Sequence, residues 1–557
     1  MRKTCGNNLV TPNCAANIAF QTPFAVRNRA FEWKTARDHA IRMAIGARLP
    51  AAANRTGKPM MKRPFAAMTL AAAVLACPLA QAKAYTPPCA TDASGPGRFA
   101  DAIACYRHQT EAQALQYAMT DTTRVADVEQ RTYRMVSQSW SPERLVQPEE
   151  WLHDVTIYVP DEVTRHRALL VVNNGTRRKK DGTGPIAPTD LTPEALAGIA
   201  KATRTAIVSV SDVPNQSLVY TDDGGNRAED ESVAHSWSLF MNAPQQRPSM
   251  PLQVPMVASA SRAMTLAERE LAPYQIHRFI VTGASKRAWA GWLTAITDPR
   301  VDAVVSFAAD VLGTHDTLKS MYRSYGGNWP IAFAPFYAEG IDKRIDTPEF
   351  ASLADIIDPL AYRRTRYGAR LGMPKYLVNA SGDDFFVPDN AALYYDKLPG
   401  RKALRMVPNA AHRDIRGAIV GSLTPFLNRF QSGTSLPRLD ARLRGTGADA
   451  SIVLHASEPP KQLLLWSATN PNARDFRYAC GVRYTSTPID VPAGGIIRVP
   501  VSQPEAGWSA YFVEATFADG FVATSQAYVL GKQAYPTAAP PTNGPACQTL
   551  PGRLPAS

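Results

Sequence analysis

The sequence predicts an α/β protein with a mostly parallel sheet covered on both faces, and three observations carry that reading. Six short apolar runs, ALLVVNN, TAIVSVSDV, HRFIVTGAS, VDAVVSFAA, KYLVNAS and ALRMVPNA, recur between Ala168 and Ala410. They are β-branched and nearly continuous, as strands buried on both faces are. Helical stretches stand between several of them, including PMVASASRAMTLAERELA, RAWAGWLTAITD and NAALYYDKL. Strand–helix alternation of this kind implies right-handed parallel crossovers. Upstream the pattern differs. After a helix expected from Ala102 to Leu115, RTYRMVSQSW and EWLHDVTIYVP alternate apolar and polar residues, as half-buried antiparallel strands do.

One connection breaks the rhythm. Between Ala309 and Met373 the chain is too long for a structureless loop in a compact domain. It reads as a helical cap, at about residues 311–372, over the carboxyl edge of the sheet. Its aromatics (Tyr322, Tyr325, Trp329, Phe333, Phe336, Tyr337) belong mostly to the cap core, with a minority lining a pocket. After LTPFLNRFQSG, short alternating runs separated by Pro, Gly and Asn predict a β-sandwich domain over 436–532, following an α/β domain over 85–435. The Pro-rich residues 533–557 are expected to be extended. No heptad or internal repeat is present.

The net charge of +13 is concentrated at the front. Residues 1–84 hold 13 of the 61 Lys and Arg but 2 of the 48 Asp and Glu, leaving 48 basic against 46 acidic residues in the remainder. A body so nearly neutral gives no broad footprint for nucleic acid. Met61-Lys62-Arg63 followed by FAAMTLAAAVLACPLA and the triplets AQA and AKA reads as a signal peptide over 60–84. The mature chain then starts at about residue 83 or 85 and is periplasmic or secreted. The apolar run is too short for a stable membrane span, and Cys77 lies in a poor lipidation context. Residues 1–59 are read as a mis-called N-terminal extension.

Four cysteines remain in the exported chain, Cys89, Cys105, Cys480 and Cys547, an even set that suggests a disulfide framework. Three pairings are open, and the local ones, Cys89 with Cys105 and Cys480 with Cys547, are favoured. No His/Cys cluster has zinc-ligand spacing, so neither a metal nor another cofactor is expected.

The chemistry is sought at the ends of the predicted strands. HRFIVTGASKRAWAGWL places Ser285 in a tight turn between strand and helix, as in the G-x-S-x-G elbow of α/β-hydrolases, although Arg287 occupies the last glycine's place. Partners follow in the order of that fold. Gly382-Asp383-Asp384 ends one strand and Ala411-His412 follows the last. A serine hydroxyl needs an adjacent base and oxyanion donors. His412 is the candidate base and Asp383 the preferred acid, with Asp384 as the alternative. The Lys286 N–H is one candidate oxyanion donor, and Gly175 or Thr176, in the loop after ALLVV, is the second. Glu229, Asp230 and Glu231 favour a helix N-terminus. Arg474 and Asp475 read as a structural pair, and His235 and His315 have no assigned role.

GASKRAWAGWLTAITDPRV, DIIDPLAY, NASGDDFFVPDN, KLPGRKALRMVPNAAH and NPNARDFRYA resemble the PhoPQ-activated pathogenicity-related protein family, over about Leu115 to Leu530. The resemblance implies an exported bacterial α/β-hydrolase-like protein linked to envelope stress and antimicrobial-peptide resistance. Members usually carry glycine where this chain has Ala288. The missing elbow glycine then reads as a shifted one, with Ala288 as the small residue and Arg287 pointing outward. Glucuronoyl esterases show a similar shift, G-x-S-R-x-G, in which the residue after the serine assists the oxyanion. Lys286 holds that position here, although exposure to solvent is the more ordinary fate of a lysine. The expected function is a serine hydrolase acting through an acyl-enzyme on a peptide or ester. The alternative is a non-catalytic secreted binding or signalling protein on a hydrolase scaffold.

Overall fold

The computed structural model describes residues 97–553 except Lys180, Pro492 and Ala493. The extension, the signal peptide and Cys89 lie outside the described residues. Nine strands form the central sheet: β1 (Gln116–Val125), β2 (Val128–Ser139), β3 (Glu150–Pro160), β4 (Arg167–Val172), β5 (Ala206–Val210), β6 (Arg278–Ala284), β7 (Val301–Phe307), β8 (Lys375–Ala380) and β9 (Lys402–Val407). Their order is β1-β2-β3-β5-β4-β6-β7-β8-β9. The pairs from β1 to β5 are antiparallel, and every pair from β5 onward is parallel. This is the α/β-hydrolase architecture.

The parallel strands are apolar throughout because both faces are covered. Successive side chains point to opposite faces, so Leu170, Val172, Val208 and Val281 enter one core and Leu169, Val171, Ile207 and Ile280 the other. On the first face lie α1 (Ala102–Glu111), α4 (Gln253–Glu270) and α5 (Lys286–Thr297), packed in series. On the second, α2 (Pro193–Thr203) packs against α9 (Arg416–Gln431). The Thr192 hydroxyl caps α2 by accepting from the Ala195 N–H. Strand β1 was not among the predicted elements. Its sequence, QYAMTDTTRV, is mostly exposed, so it carries no buried alternation to read. Its threonines and charges suit an open sheet edge.

Between β7 and β8 the chain forms the cap, with α6 (Thr314–Ser324), α7 (Ala334–Ala338), α8 (Pro348–Ile357) and several 3-10 turns. Trp329, Phe333 and Phe336 stack in a row, with ring centroids 4.5 and 5.2 Å apart. NAALYYDKL, expected as a helix, forms two 3-10 turns, Asn390–Leu393 and Tyr395–Lys397. They part at Tyr394, whose φ of −136° and ψ of −25° are not helical and whose ring is buried.

The C-terminal strands form two antiparallel sheets. One comprises β10 (Leu439–Arg444), β11 (Ser451–Ala456) and β14 (Ile497–Pro500). The other comprises β12 (Gln462–Asn470), β13 (Thr485–Ile489), β15 (Trp508–Thr516), β16 (Val522–Thr524) and β17 (Tyr528–Gly531). Ile452, Leu454 and Val499 of the first share a core with Leu463, Val513 and Ala515 of the second, and with Tyr376 and Phe426 of the α/β part. Tyr376 stacks on Phe521 at 4.7 Å and its hydroxyl donates to the Val522 carbonyl at 2.5 Å. The two parts thus have one continuous core.

Thr549–Pro551 pairs with Asn328–Pro330 of the cap, Cys547 is disulfide-bonded to Cys480, and Arg553 pairs with Asp342 at 2.6 Å. The described part of the tail, with a 3-10 turn at Pro545–Cys547, is thus strapped to the cap. Cys105 is also disulfide-bonded. Among the described residues no helix is long and apolar enough to cross a membrane.

Candidate active site

Strand β6 runs out at Ala284, and α5 begins one residue later at Lys286. Ser285 alone makes the corner, at φ 55°, a strained setting for a residue with a side chain. Its N–H donates to the Phe307 carbonyl at 2.8 Å and its carbonyl accepts from the Trp289 N–H at 3.0 Å. The turn needs the glycine before it. A Cβ on Gly283 would lie 2.9 Å from the Arg287 carbonyl carbon and 2.9 Å from the Val172 oxygen. Ala288 is fully buried at the place where a small residue was expected.

His412 follows β9 and Asp383 follows β8, so both arrive at the carboxyl edge beside Ser285. His412 Nε2 is 2.8 Å from Ser285 Oγ, and His412 Nδ1 is 2.9 Å from Asp383 Oδ2. Asp383 is buried and its Oδ1 accepts from the Phe385 and Phe386 N–H groups at 2.8 and 3.2 Å, which fixes the carboxylate. Burial by itself lowers the His412 pKa, but the Asp383 carboxylate outweighs it and the net shift is upward. Asp384 does not take this position. Its carboxylate faces the His412 backbone N–H, and burial, followed by the Asp383 charge, raises its pKa. The arrangement provides a hydroxyl, an imidazole in contact with it, and a fixed carboxylate behind the imidazole. Those are the parts needed to move a proton off Ser285.

The two residues after Ser285 differ from expectation. Arg287 does not point outward; it is buried, donating to the Val213 carbonyl at 2.6 Å and pairing with Glu229 at 2.5 Å and Asp190 at 3.5 Å. Asp190 also binds Arg416 at 2.7 Å. Lys286 is not solvated either. Its Nζ sits 2.8 Å from Glu229 and 3.1 Å from Asp230, with the side chain 10% exposed. Burial would depress the ammonium, but Asp230 and Glu229 together hold its pKa above the ordinary value. Glu229 and Asp230, which open α3 (Glu229–Asn242), are therefore the counter-ions of the residues that follow the serine. The acidic run EDE is the sequence signal, which reads as a helix start or, in a peptidase, as a holder of a free amino terminus.

Neither residue expected as the second oxyanion donor lines the cavity beside Ser285. The Thr176 N–H is committed to the Ile186 carbonyl at 3.0 Å, and Thr176 lines a separate cavity with Asn173 and Asp212. Gly175 stands at φ 98° with its carbonyl bound by Gln216, and it does not line the cavity at the serine. Lys286 does line it. As the first residue of α5 its N–H has no intrahelical acceptor. Arg474 and Asp475 do not pair with each other. Arg474 binds Asp389 at 2.5 Å, and Asp475 binds Arg477 at 2.7 Å. His235 lies between Glu339 and Asp222, and His315 pairs with Asp346.

A cavity of about 70 Å³ opens beside Ser285 and His412. Its walls are almost wholly apolar: Val233, Trp237 and Trp289 from the body, Met321, Phe333 and Phe336 from the cap. Of the six cap aromatics only Phe333 and Phe336 reach it. One buried acid escaped the sequence reading. Asp310, after β7, is fully buried behind Asp383, accepts from the Tyr394 hydroxyl, and is pushed up to about 7 by burial first, with the Asp383 charge adding to it. The apolar run VSFAAD hid it.

The described chain has known relatives. It is 28% identical over 406 residues to autocrine proliferation repressor protein A of Dictyostelium discoideum, covering 69% of this chain and 79% of that protein. Among solved structures it is similar to the acetyl xylan esterase from Paenibacillus sp. R4, at a TM-score of 0.40 and 11% identity over 62% of this chain and 96% of that one. It is also similar to acetyl xylan esterase 1 from Thermoanaerobacterium sp. JW/SL YS485, at 0.37 and 13% over 59% and 90%. A sequence model of PhoPQ-activated pathogenicity-related proteins matches residues 103–477, about two thirds of the chain, and the chain belongs to that family.

Proposed function

We propose that this protein is an exported serine hydrolase that cleaves esters of small apolar acyl groups. The observation that carries the reading is the series of contacts from Ser285 Oγ to His412 Nε2 at 2.8 Å and from His412 Nδ1 to Asp383 at 2.9 Å. Ser285 attacks the ester carbonyl and passes its proton to His412 Nε2. Asp383 holds the ring and stabilises the imidazolium. The Lys286 N–H faces the oxygen on which charge develops. His412 then gives the proton to the departing alcohol, and water repeats the sequence on the acyl-enzyme.

The substrate class follows from the walls. An apolar space of about 70 Å³ matches an acyl group of about two to four carbons. The peptidase alternative would use Glu229 and Asp230 to hold a free amino terminus, but both already neutralise Lys286, and Glu229 also neutralises Arg287. That favours the ester. Export to the periplasm or medium rests on the leader at 60–84, and a link to envelope stress and antimicrobial-peptide resistance rests on the family.

The test is a p-nitrophenyl ester series. Acetate and butyrate are expected to turn over, octanoate and dipeptide amides to be at least tenfold poorer in kcat/KM. Faster cleavage of octanoate or of dipeptide amides would remove the short-ester reading. A signalling role without catalysis has one observation behind it, the name of the Dictyostelium relative. It predicts that Ser285→Ala leaves biological activity intact.

A further inference from the structure

Away from Ser285, at the amino end of β9, a cleft of about 750 Å³ separates the α/β part from β10 and the turn before it. Four cations, Arg401, Lys402, Arg438 and Arg442, and two carboxylates, Asp396 and Asp440, line it. Arg438 is paired with Asp440 at 2.7 Å. Arg401 and Arg442 are exposed and have no carboxylate partner among the described residues. Lys402 is satisfied only by the carbonyl oxygens of Tyr395 and Leu398, at 2.5 and 2.9 Å. Beneath it the buried Lys375, its neighbour across the strand pair, donates to the Pro399 carbonyl at 2.5 Å, again with no carboxylate. Carbonyl dipoles satisfy the hydrogen bonds of these lysines but do not cancel their charge. Burial pushes Lys375 down to about 7, and the charge of Lys402 adds to the effect. Of the groups lining the cleft, the exposed and unpaired Arg401 and Arg442 therefore favour a negative group.

The shape of the charge narrows the ligand. β10 is an edge strand, paired only with β11, and the two-residue period sets Asp440 and Arg442 on one exposed face. On one wall Asp440 stands between Arg438 and Arg442, on the other Asp396 accompanies Arg401 and Lys402, and Gln526 and Ser457 lie beside them. We propose that this cleft binds a carboxylate-bearing sugar chain, its carboxylates held by Arg401 and Arg442 and its hydroxyls donating to Asp396 and Asp440. A guanidinium fits a carboxylate in the bidentate manner, and an ionised Asp accepts hydroxyl protons. Nucleic acid fits less well. Asp396 and Asp440 repel closely spaced phosphates, and the ring of Tyr395 is covered by Lys402 at 4.7 Å, so it offers no stacking face. The volume lies in the range of sites for compact ligands.

Affinity electrophoresis of the Ser285→Ala protein, in gels containing polygalacturonate, methyl-esterified polygalacturonate or oligo(dT), tests the assignment. The proposal predicts retardation by polygalacturonate with an apparent Kd at least tenfold lower than for the other two polymers. Arg401→Ala/Arg442→Ala is expected to weaken that binding at least tenfold with an unchanged circular dichroism spectrum. Arg165→Ala/Arg178→Ala, the same loss of charge elsewhere, is expected to bind as the parent does. No retardation, equal retardation by the esterified polymer, tighter binding of oligo(dT), or equal weakening by the two double variants would each overturn the proposal.

Discussion

The two ends of the central sheet treat their buried and half-buried cations in opposite ways. At the carboxyl end, Lys286 and Arg287 are each within salt-bridge distance of two carboxylates, drawn from Glu229, Asp230 and Asp190. At the amino end of β8 and β9, Lys375 and Lys402 hydrogen-bond to carbonyl oxygens and to no carboxylate. Taking a charge out of water costs several kcal/mol, which a well-placed counter-ion offsets. The first end is therefore electrically closed before any ligand arrives. Its paired charges position the turn at Ser285, while the cavity itself stays apolar. The second end is left open, with Arg401 and Arg442, unpaired among the described residues, beside a polar cleft. One end suits chemistry on a small acyl group, and the other suits the capture of a polar anion.

The sharpest way to break this contrast is at Ser285. Ser285→Ala is expected to lower kcat for a short ester by about 10⁴ to 10⁶, with no change in the Kd for polygalacturonate. Asp383→Asn should follow, at about 10⁴ in kcat because the His412 tautomer is no longer held. Asp384→Asn is expected to cost less than about tenfold, and comparable losses in the two variants would contradict the assignment of Asp383. Third comes the paired network itself. Arg287→Met takes one of two cations from Asp190 and from Glu229, leaving them Arg416 and Lys286, and is expected to cost about 1–3 kcal/mol in urea unfolding. Arg442→Ala at the open end should stay within about 0.5 kcal/mol. Equal costs would mean that the two ends are not different.

The tail gives an effect of similar size. Cys480 and Cys547 close a loop of 67 residues, so replacing both with serine should lower stability by about 2–4 kcal/mol. The smallest effect is a shift on the pH axis. His412 must be neutral to accept the serine proton, and its folded pKa lies above the ordinary 6.5. The short-ester kcat/KM should fall with acid through an inflection above that value. Because the folded pKa is raised, protonated His412 stabilises the fold below the unfolded value, and that contribution fades as pH rises through the folded one. Asp383→Asn should move the inflection down.

Much of this was legible in the residues. The parallel strands announced themselves because both faces are buried, and the order Ser285, Asp383, His412 could be read from the polar residues at the carboxyl ends of three strands. The pairing that local spacing favoured, Cys480 with Cys547, is the one present. Other features depend on contacts that a linear pattern does not carry. Strand β1 is held by its ladder to β2 rather than by a buried face. Arg287 turns inward because Glu229 and Asp190, 58 and 97 residues away, converge on it. Thr176 has the right place in the chain, but a bridge to Ile186 uses its amide. A helix in NAALYYDKL was the natural reading of its composition, yet Tyr394 reaches Asp310 across the core and the helix does not form.

The central claim is that Ser285 is an activated nucleophile, and the most direct measurement is mass-spectrometric mapping of the adduct left by a fluorophosphonate probe on the folded protein. One adduct is expected, on the peptide carrying Gly283-Ala284-Ser285, and it is lost in both Ser285→Ala and His412→Ala. Folded protein that takes up no probe, or carries it on another residue, would show that Ser285 is not the nucleophile.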